Sequence, residues 1–545
     1  MGNPLTEGLN ADERLEGGDL ELQGLLSGLP AQIRQKVKTG DEANARPRRD
    51  KKSLALYKWL EDDGEGDGAW SRRRLTSVAG LLILLLLGAV LLRPIIAPKA
   101  RTKTHPNSKF NGAELRSNGT HDFKRTVLIF SIDGLRADYL DRGLTPHLLD
   151  ISKKGLRAKY MQPIFPTLTF PNHWALMTGL YAESHGIVAN NFWDPVTDTE
   201  FHYNQETSTW NSTWWLGEPM WETTGRAGVI SANLMWIGPP KTSSGASPTY
   251  FVPWKNKVPL SEKLDQILKW IDLPLDERPQ LITGYEPSVD QAGHNAGPNS
   301  KLVNDTLKYV DGFARDLHTQ LAARNLSEIV DVIFVSDHGM TDTSHPELVY
   351  MDDILGEEGI AKIEHEDGWP SAGIRFSQNC NSSHYLDILL KAAKTNSEKF
   401  SVYTKETMPE RYHYSHNERI APIYVIPKIR YALTTHEEGD SGLSKGNHGY
   451  DNNEPSMYAT FVAHGPFSTN VKDVHEKRTS SSLVSRVFNG VYKRSGEGWH
   501  SVEGSTYVMD GFENVQIYGL VMKLLGLEDW SANNNGTRGF WDKYL

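Results

Sequence analysis

The stretch VDVIFVSDHGM, residues 330–340, is an apolar, β-rich run that stops abruptly at Asp337-His338-Gly339. A run this short, closed by small and polar residues, reads as a buried strand ending in a turn. Outward from it, VLIFSIDGL (residues 127–135) repeats the pattern and ends at Asp133-Gly134. Leu281 to Tyr285 and Tyr458 to Ala463 are further strand candidates, with helical patterns between them at Pro171 to Gly179, Ser300 to Leu321 and Asn514 to Leu525. This alternation predicts an α/β domain whose central sheet is mainly parallel and flanked by helices. In such sheets reactive groups gather beyond the C-terminal ends of the strands, where these Asp-containing turns fall.

Composition narrows the chemistry. The 545 residues carry a formal net charge of −10, and the basic residues are scattered apart from Arg72-Arg73-Arg74, so no groove for long nucleic acid is expected. With a single cysteine, Cys380, neither an intrachain disulfide nor a thiolate metal cluster can form. A metal site here must use His, Asp, Glu and hydroxyl groups. No obligate protein partner is inferred.

Four segments follow from the chain's patterning. Residues 1–74 are polar and rich in Gly, Glu and Asp, the composition of a flexible tail. Leu75 to Leu92 is an uncharged run of 18 residues, about 27 Å as a helix, and reads as an uncleaved transmembrane signal anchor. Residues 93–124 read as a stalk, and residues 125–545 as one catalytic domain. Basic residues flank the run on both sides, so the positive-inside rule is nearly neutral. Six Asn-x-Ser/Thr sequons, at Asn118, Asn211, Asn304, Asn325, Asn381 and Asn535, all follow the run. Their one-sidedness predicts a single-pass type II membrane glycoprotein with a cytosolic tail and an extracellular or lumenal body.

The polar groups at the strand ends form a set: Asp133 in SIDGL, Asp290 and His294 in VDQAGH, Asp337 and His338 in VSDHGM, and His448 in GNHGYD. An isolated Asp-Gly or His-Gly is ordinarily a cap or a loop residue. Four such motifs, three of them behind predicted strands, point instead to metal ligands. Zinc takes imidazole nitrogen and carboxylate oxygen at about 2.0–2.2 Å and, with three protein ligands, keeps a position open. Six ligands suffice for two zinc ions, the clamp used in phosphoryl displacement.

The segment FPTLTFPNHWALMTGLYAESHGIVANNFWDP (residues 165–195) resembles the active-site segment of the nucleotide pyrophosphatase/phosphodiesterase family of the alkaline phosphatase superfamily. Further matches run in order: SIDGLRADYL, YEPSVDQAGHNAGP, VSDHGM, GNHGYDN, ATFVAHGPF and ENVQIYGLVMKLLGLEDWSANNNGT. The resemblance implies an alkaline-phosphatase-like core and two zinc ions. One would be held by Asp290, His294 and His448, the other by Asp133, Asp337, His338 and a threonine nucleophile. Spacing leaves Thr167 and Thr169 open; the family's Thr-Phe-Pro-Asn pattern selects Thr169 and makes Thr167 a supporting residue.

The same resemblance implies hydrolysis of nucleotide pyrophosphates and phosphodiesters to nucleoside 5′-monophosphates through a phosphothreonine intermediate. Asn190 and the Phe170 amide would stabilise the transition state, and Phe170, Tyr285 and Trp236 would hold the nucleobase. After Gly238 the chain departs from the vertebrate pattern with Pro239-Pro240, and the vertebrate relatives' cysteine-rich and nuclease-like domains are missing, as in a compact fungal or microbial form. Competing activities are a phospholipid or phosphocholine phosphodiesterase with the same metal site, a phosphoethanolamine transferase, and a non-catalytic receptor domain.

Overall fold

The computed structural model describes residues 114–439, 443–468, 471, 500–502 and 506–545. The tail, the apolar run Leu75–Leu92 and the stalk up to residue 113 lie outside the described residues. Among the described residues no helix is long and apolar enough to cross a membrane.

Nine strands form the main sheet: β1 (Thr126–Ile132), β2 (Leu156–Ala158), β3 (Ser231–Leu234), β4 (Tyr250–Val252), β5 (Leu281–Glu286), β6 (Val330–Val335), β7 (Phe461–His464), β8 (His500–Val502) and β9 (Thr506–Met509). Their order is β8-β9-β2-β7-β6-β1-β5-β3-β4. From β6 to β4 all neighbours are parallel. The sheet as a whole is mixed: five of its eight pairings are parallel, as expected, but β7 is antiparallel to both β6 and β2. It follows the loop bearing His448, at the C-terminal ends of the parallel strands, without a crossover helix, and so must run back.

Burial on both faces explains the near-continuous apolar strands. In β1, Val127 and Ile129 pack with Trp174, Leu176, Ile517 and Leu520 on one face. Leu128, Phe130 and Ile132 pack with Ile267, Leu307, Val310 and Leu317 on the other. The covering helices are α1 (Pro146–Lys154), α2 (Thr169–Thr178), α3 (Leu260–Ile271), α4 (Ser288–Ala296), α5 (Lys301–Ala323) and α6 (Gln516–Leu525). In α5, Ser300 caps the start by accepting from the Val303 amide, and the buried positions recur every three or four residues.

A second, antiparallel sheet of Ile363–Asp367, Ala372–Phe376, Ile423–Pro427 and Phe400–Thr404, in that order, has its own core around Ile374, Leu389, Phe400 and Val425. Leu115–Ser117 and Asp122–Lys124 pair as an antiparallel hairpin. This hairpin is docked on the body, with Asn118 Nδ2 donating to Arg324 O at 2.9 Å and Phe123 buried. The last residues of the predicted stalk therefore belong to the folded domain.

Candidate active site

Three parallel strands end level with one another, since Glu286 pairs with Ile132 and Val335 with Ser131. The chain then locks the following turns together. The Asp133 amide donates to Glu286 O at 2.9 Å, the Asp290 amide to Asp133 O at 3.0 Å, and the Gly134 amide to Asp337 Oδ1 at 3.2 Å. Gly134 has φ +66°, and a Cβ there would stand 2.8 Å from the Asp290 Cα, so only glycine lets the turns approach this closely. Asp290 and His294 lie one turn apart on α4, on one helix face. His448 arrives from far along the chain: Gly446–Asn447 pairs antiparallel with Thr341–Asp342, just beyond His338.

The three histidines share one arrangement. Nδ1 donates to a backbone carbonyl in each: His294 to Gly446 O, His338 to Gly339 O and His448 to Thr167 O, all at 2.9 Å. In the neutral rings this leaves Nε2 as a bare lone pair, the form that binds metal. His338 Nε2 stands 3.0 Å from Asp337 Oδ2 and 3.5 Å from Asp133 Oδ1. His448 Nε2 is 3.4 Å from Asp290 Oδ1, His294 Nε2 is 3.4 Å from Asp290 Oδ2, and the two Nε2 atoms are 3.1 Å apart.

Lone pairs thus face lone pairs, and Asp133 Oδ1, Asp290 Oδ1 and Asp337 Oδ2 are buried without a hydrogen-bond partner. Cations between these atoms would satisfy all of them, and the donor set of imidazole nitrogen and carboxylate oxygen suits a divalent metal. One ligand atom from each of Asp133, Asp337 and His338 falls within 4.8 Å of the others, as does one from each of Asp290, His338 and His448. His338 is common to both groupings, so the two sets are contiguous, with His294 adjoining the second.

Electrostatics agree with this need for positive charge. Burial, then Asp337 and Asp290, raises the Asp133 carboxyl well above its usual range, and burial raises Asp290. Burial acts the same way on Asp337, but His338 and His173 outweigh it and hold that group well below the usual value. Burial lowers His338 in turn, but Asp337 outweighs it and raises that ring, so without a cation a proton shared by this pair stands in for the positive charge. Burial, with His338 and His294 alongside, keeps the His448 ring neutral.

Thr169 opens α2, with its Oγ1 3.1 Å from His338 Nε2. The helix starts two residues earlier than predicted because Pro171 is tolerated in a first turn. The buried Asn172 side chain braces the approach, donating to Pro166 O and Leu168 O and accepting from the Ile164 amide. Thr167 points away from the cluster, bonded to Tyr450 O and the Gly449 amide. Asn190 Oδ1 accepts from the Phe170 amide at 3.1 Å, so these two expected donors engage each other and Nδ2 remains as the donor of Asn190.

Phe170 is half-buried beside Tyr203, with ring centroids 5.8 Å apart. Tyr285 and Trp236, the other expected base-holding residues, lie inside the fold. Both are buried, edge-on to His173 at 5.0 and 5.4 Å, and the Tyr285 hydroxyl donates to Asp133 Oδ2 at 2.6 Å. Tyr285 therefore braces a carboxylate of the cluster. Of the sequon asparagines, Asn211, Asn325, Asn381 and Asn535 are exposed, while Asn118 and Asn304 are half-buried. Tyr203, His173 and Ser131 complete the surroundings without having been singled out by motif spacing. His173 alone had a usable signal, lying four residues after Thr169 on a predicted helix.

Comparison with known proteins places this geometry. Residues 127–451 match the family model of type I phosphodiesterase/nucleotide pyrophosphatase. The chain is 38% identical over 480 residues to an uncharacterized pyrophosphatase/phosphodiesterase of Schizosaccharomyces pombe, covering 86% of this chain and 89% of that protein. It is 33% identical to human ectonucleotide pyrophosphatase/phosphodiesterase family member 1 over 76% of this chain, but spans only 41% of the human protein. The solved structure of murine ectonucleotide pyrophosphatase/phosphodiesterase 5 superposes with a TM-score of 0.64 at 30% identity, covering 77% of this chain and 98% of that one. A structure of similar score holds an inactive threonine-to-alanine variant of the murine protein in complex with AMP. The chain belongs to the type I phosphodiesterase/nucleotide pyrophosphatase family, hydrolases of phosphodiester and pyrophosphate bonds.

Proposed function

We propose that this chain is a zinc-dependent hydrolase that cleaves nucleotide pyrophosphate and phosphodiester bonds to nucleoside 5′-monophosphates through a phosphothreonine at Thr169. One observation carries the reading: the Thr169 hydroxyl, at the start of α2, touches a cluster of six metal-type ligands in which Asp133 Oδ1, Asp290 Oδ1 and Asp337 Oδ2 are buried without hydrogen-bond partners. Asp290, His294 and His448 would hold one zinc ion, and Asp133, Asp337, His338 and Thr169 the other. Bound there, the ions would supply Lewis acidity that favours the ionised hydroxyl and offsets charge on the leaving oxygen.

The chain's own groups account for the rest. The Thr169 oxygen attacks phosphorus as the bond to the leaving group breaks, and water later displaces the threonine oxygen to release the monophosphate. The N-terminus of α2 favours the phosphate's negative charge. Asn190, fixed by the Phe170 amide, offers Nδ2 to a phosphoryl oxygen. Phe170, beside Tyr203, offers the nucleobase an aromatic face whose stacking tolerates different bases. That the murine relative is solved in complex with AMP supports a nucleotide as the ligand.

For topology we read residues 1–74 as cytosolic, 75–92 as the anchor and the domain from residue 114 onward as extracellular or lumenal.

The test compares cleavage of the nitrophenyl ester of thymidine monophosphate, nitrophenyl phosphocholine and nitrophenyl phosphate by the purified full-length chain. The nucleotide ester is expected to be preferred; preference for the choline ester would replace the nucleotide reading with the lipid one.

A further inference from the structure

His173 lies on α2 one turn after Thr169 and is fully buried. Its Nδ1 is 3.0 Å from the Thr169 carbonyl oxygen and 3.3 Å from Asp337 Oδ2, and its Nε2 is 2.9 Å from Ser131 Oγ. Both neighbours of Nδ1 are acceptors, so Nδ1 carries the proton. In the neutral ring Nε2 then accepts from the Ser131 hydroxyl. Tyr285 and Trp236 hold the ring edge-on, at interplanar angles of 89° and 78°. Ser131 sits on β1 two residues before Asp133, and Asp337 lies two residues beyond the end of β6. One imidazole therefore touches the residue that carries the attacking hydroxyl, a carboxylate of the ligand cluster and the strand that delivers a second carboxylate.

Another buried histidine of the same segment shows the contrast. His185 bonds through Nε2 to Pro171 O and through Nδ1 to the Ile187 amide, and neither contact reaches a ligand or Thr169. It is a satisfied core histidine.

We infer that His173 is a positioning residue. Its Nδ1–H, held on Thr169 O and facing Asp337 Oδ2, fixes the spacing between Thr169 and the Asp133, Asp337 and His338 set, while Ser131 fixes the tautomer. The consequence for rate rests on Thr169 being the nucleophile, as proposed above. The consequence for metal retention does not.

The geometry sets the test, because an asparagine amide nitrogen comes where Nδ1 is and a glutamine amide nitrogen where Nε2 is. His173→Asn, His173→Gln, His173→Ala and Ser131→Ala are made in the full-length chain and purified in mild detergent. Metal content is followed during dialysis against a chelator, and kcat and KM are measured on the nitrophenyl ester of thymidine monophosphate.

His173→Asn is expected to stay near wild type, whereas His173→Gln and His173→Ala lose metal faster and drop kcat by roughly 10–100-fold with KM little changed. Ser131→Ala moves in the same direction by less. Simple filling of space predicts the opposite order, since glutamine replaces the imidazole volume better than asparagine. Asparagine no better than glutamine, or wild-type retention in His173→Ala, overturns the inference. If His173→Ala does not fold, the asparagine and glutamine pair decides. If the wild type spares the nucleotide ester while metal retention still ranks asparagine above glutamine, the nucleotide reading falls and the positioning role stands.

Discussion

Thr169 and Thr167 are two residues apart yet have opposite surroundings, one beside His338 Nε2 and the other bonded into the loop that carries His448. Thr169→Ala is accordingly expected to lower turnover by ~10³-fold or more and to abolish the phosphorylated species seen by intact mass after quenching. Thr167→Ala should still form that species, because its hydroxyl only braces backbone. Tyr285 gives a second expectation at this scale. Tyr285→Phe leaves Asp133 Oδ2 without its 2.6 Å donor, so metal affinity should fall about 10–100-fold in chelator competition while the circular dichroism spectrum is unchanged. That Asp133, Asp290, His294, Asp337, His338 and His448 belong together was legible from residue type and from motifs that mostly follow strands. The roles of Tyr285 and Trp236 were not, because spacing shows that an aromatic lies near a ligand but not whether its face or its edge meets the cavity.

The turns between elements set how close the ligands come. Gly134→Ala forces a side chain into left-handed backbone against Asp290, at a cost of about 1–3 kcal/mol in urea unfolding, with weakened metal retention alongside. Asp367, closing the first strand of the second sheet, accepts the Trp193 amide at 2.8 Å in the strand Asn191–Asp194, which follows Asn190. Burial raises its carboxyl to about 7 despite that bond. A folded-state value above the unfolded one means stability is fully present below about pH 4 and lost as pH rises to about 7, by up to about 4 kcal/mol. Thermal melts across that range should show the loss in wild type and not in Asp367→Asn. Strands β1, β5, β6 and β7 and helices α2, α5 and α6 followed from apolar runs and periodicity, whereas the shorter strands toward the sheet edges and helices α1, α3 and α4 did not. The antiparallel return of β7 did not, since a buried strand of either direction has the same apolar sequence. The hairpin before β1 also stayed hidden, its three-residue strands being too short for any period.

For the molecule as a whole, metal should act as a stabilising ligand. At a free concentration 1,000 times its dissociation constant, one site adds about 4 kcal/mol, so chelation is expected to lower the melting temperature by several degrees and zinc to restore it. An unchanged melt would mean that the six ligands hold no structural cation. Glycosidase treatment of the mature chain should raise its gel mobility if the sequon-bearing body lies outside the cytosol, and an unmoved band would place it inside. A temporal consequence lies in the contact between His448 Nδ1 and Thr167 O, which joins residues 281 positions apart. At translation rates of roughly 5–20 residues per second, the second partner emerges about 15–60 s after the first. The nascent chain passes this interval with Asp133 already made, Asp290 and Asp337 arriving within it and no His448 to join them, so any cation that needs His448 can be captured only once all the other residues of the cluster have been synthesised.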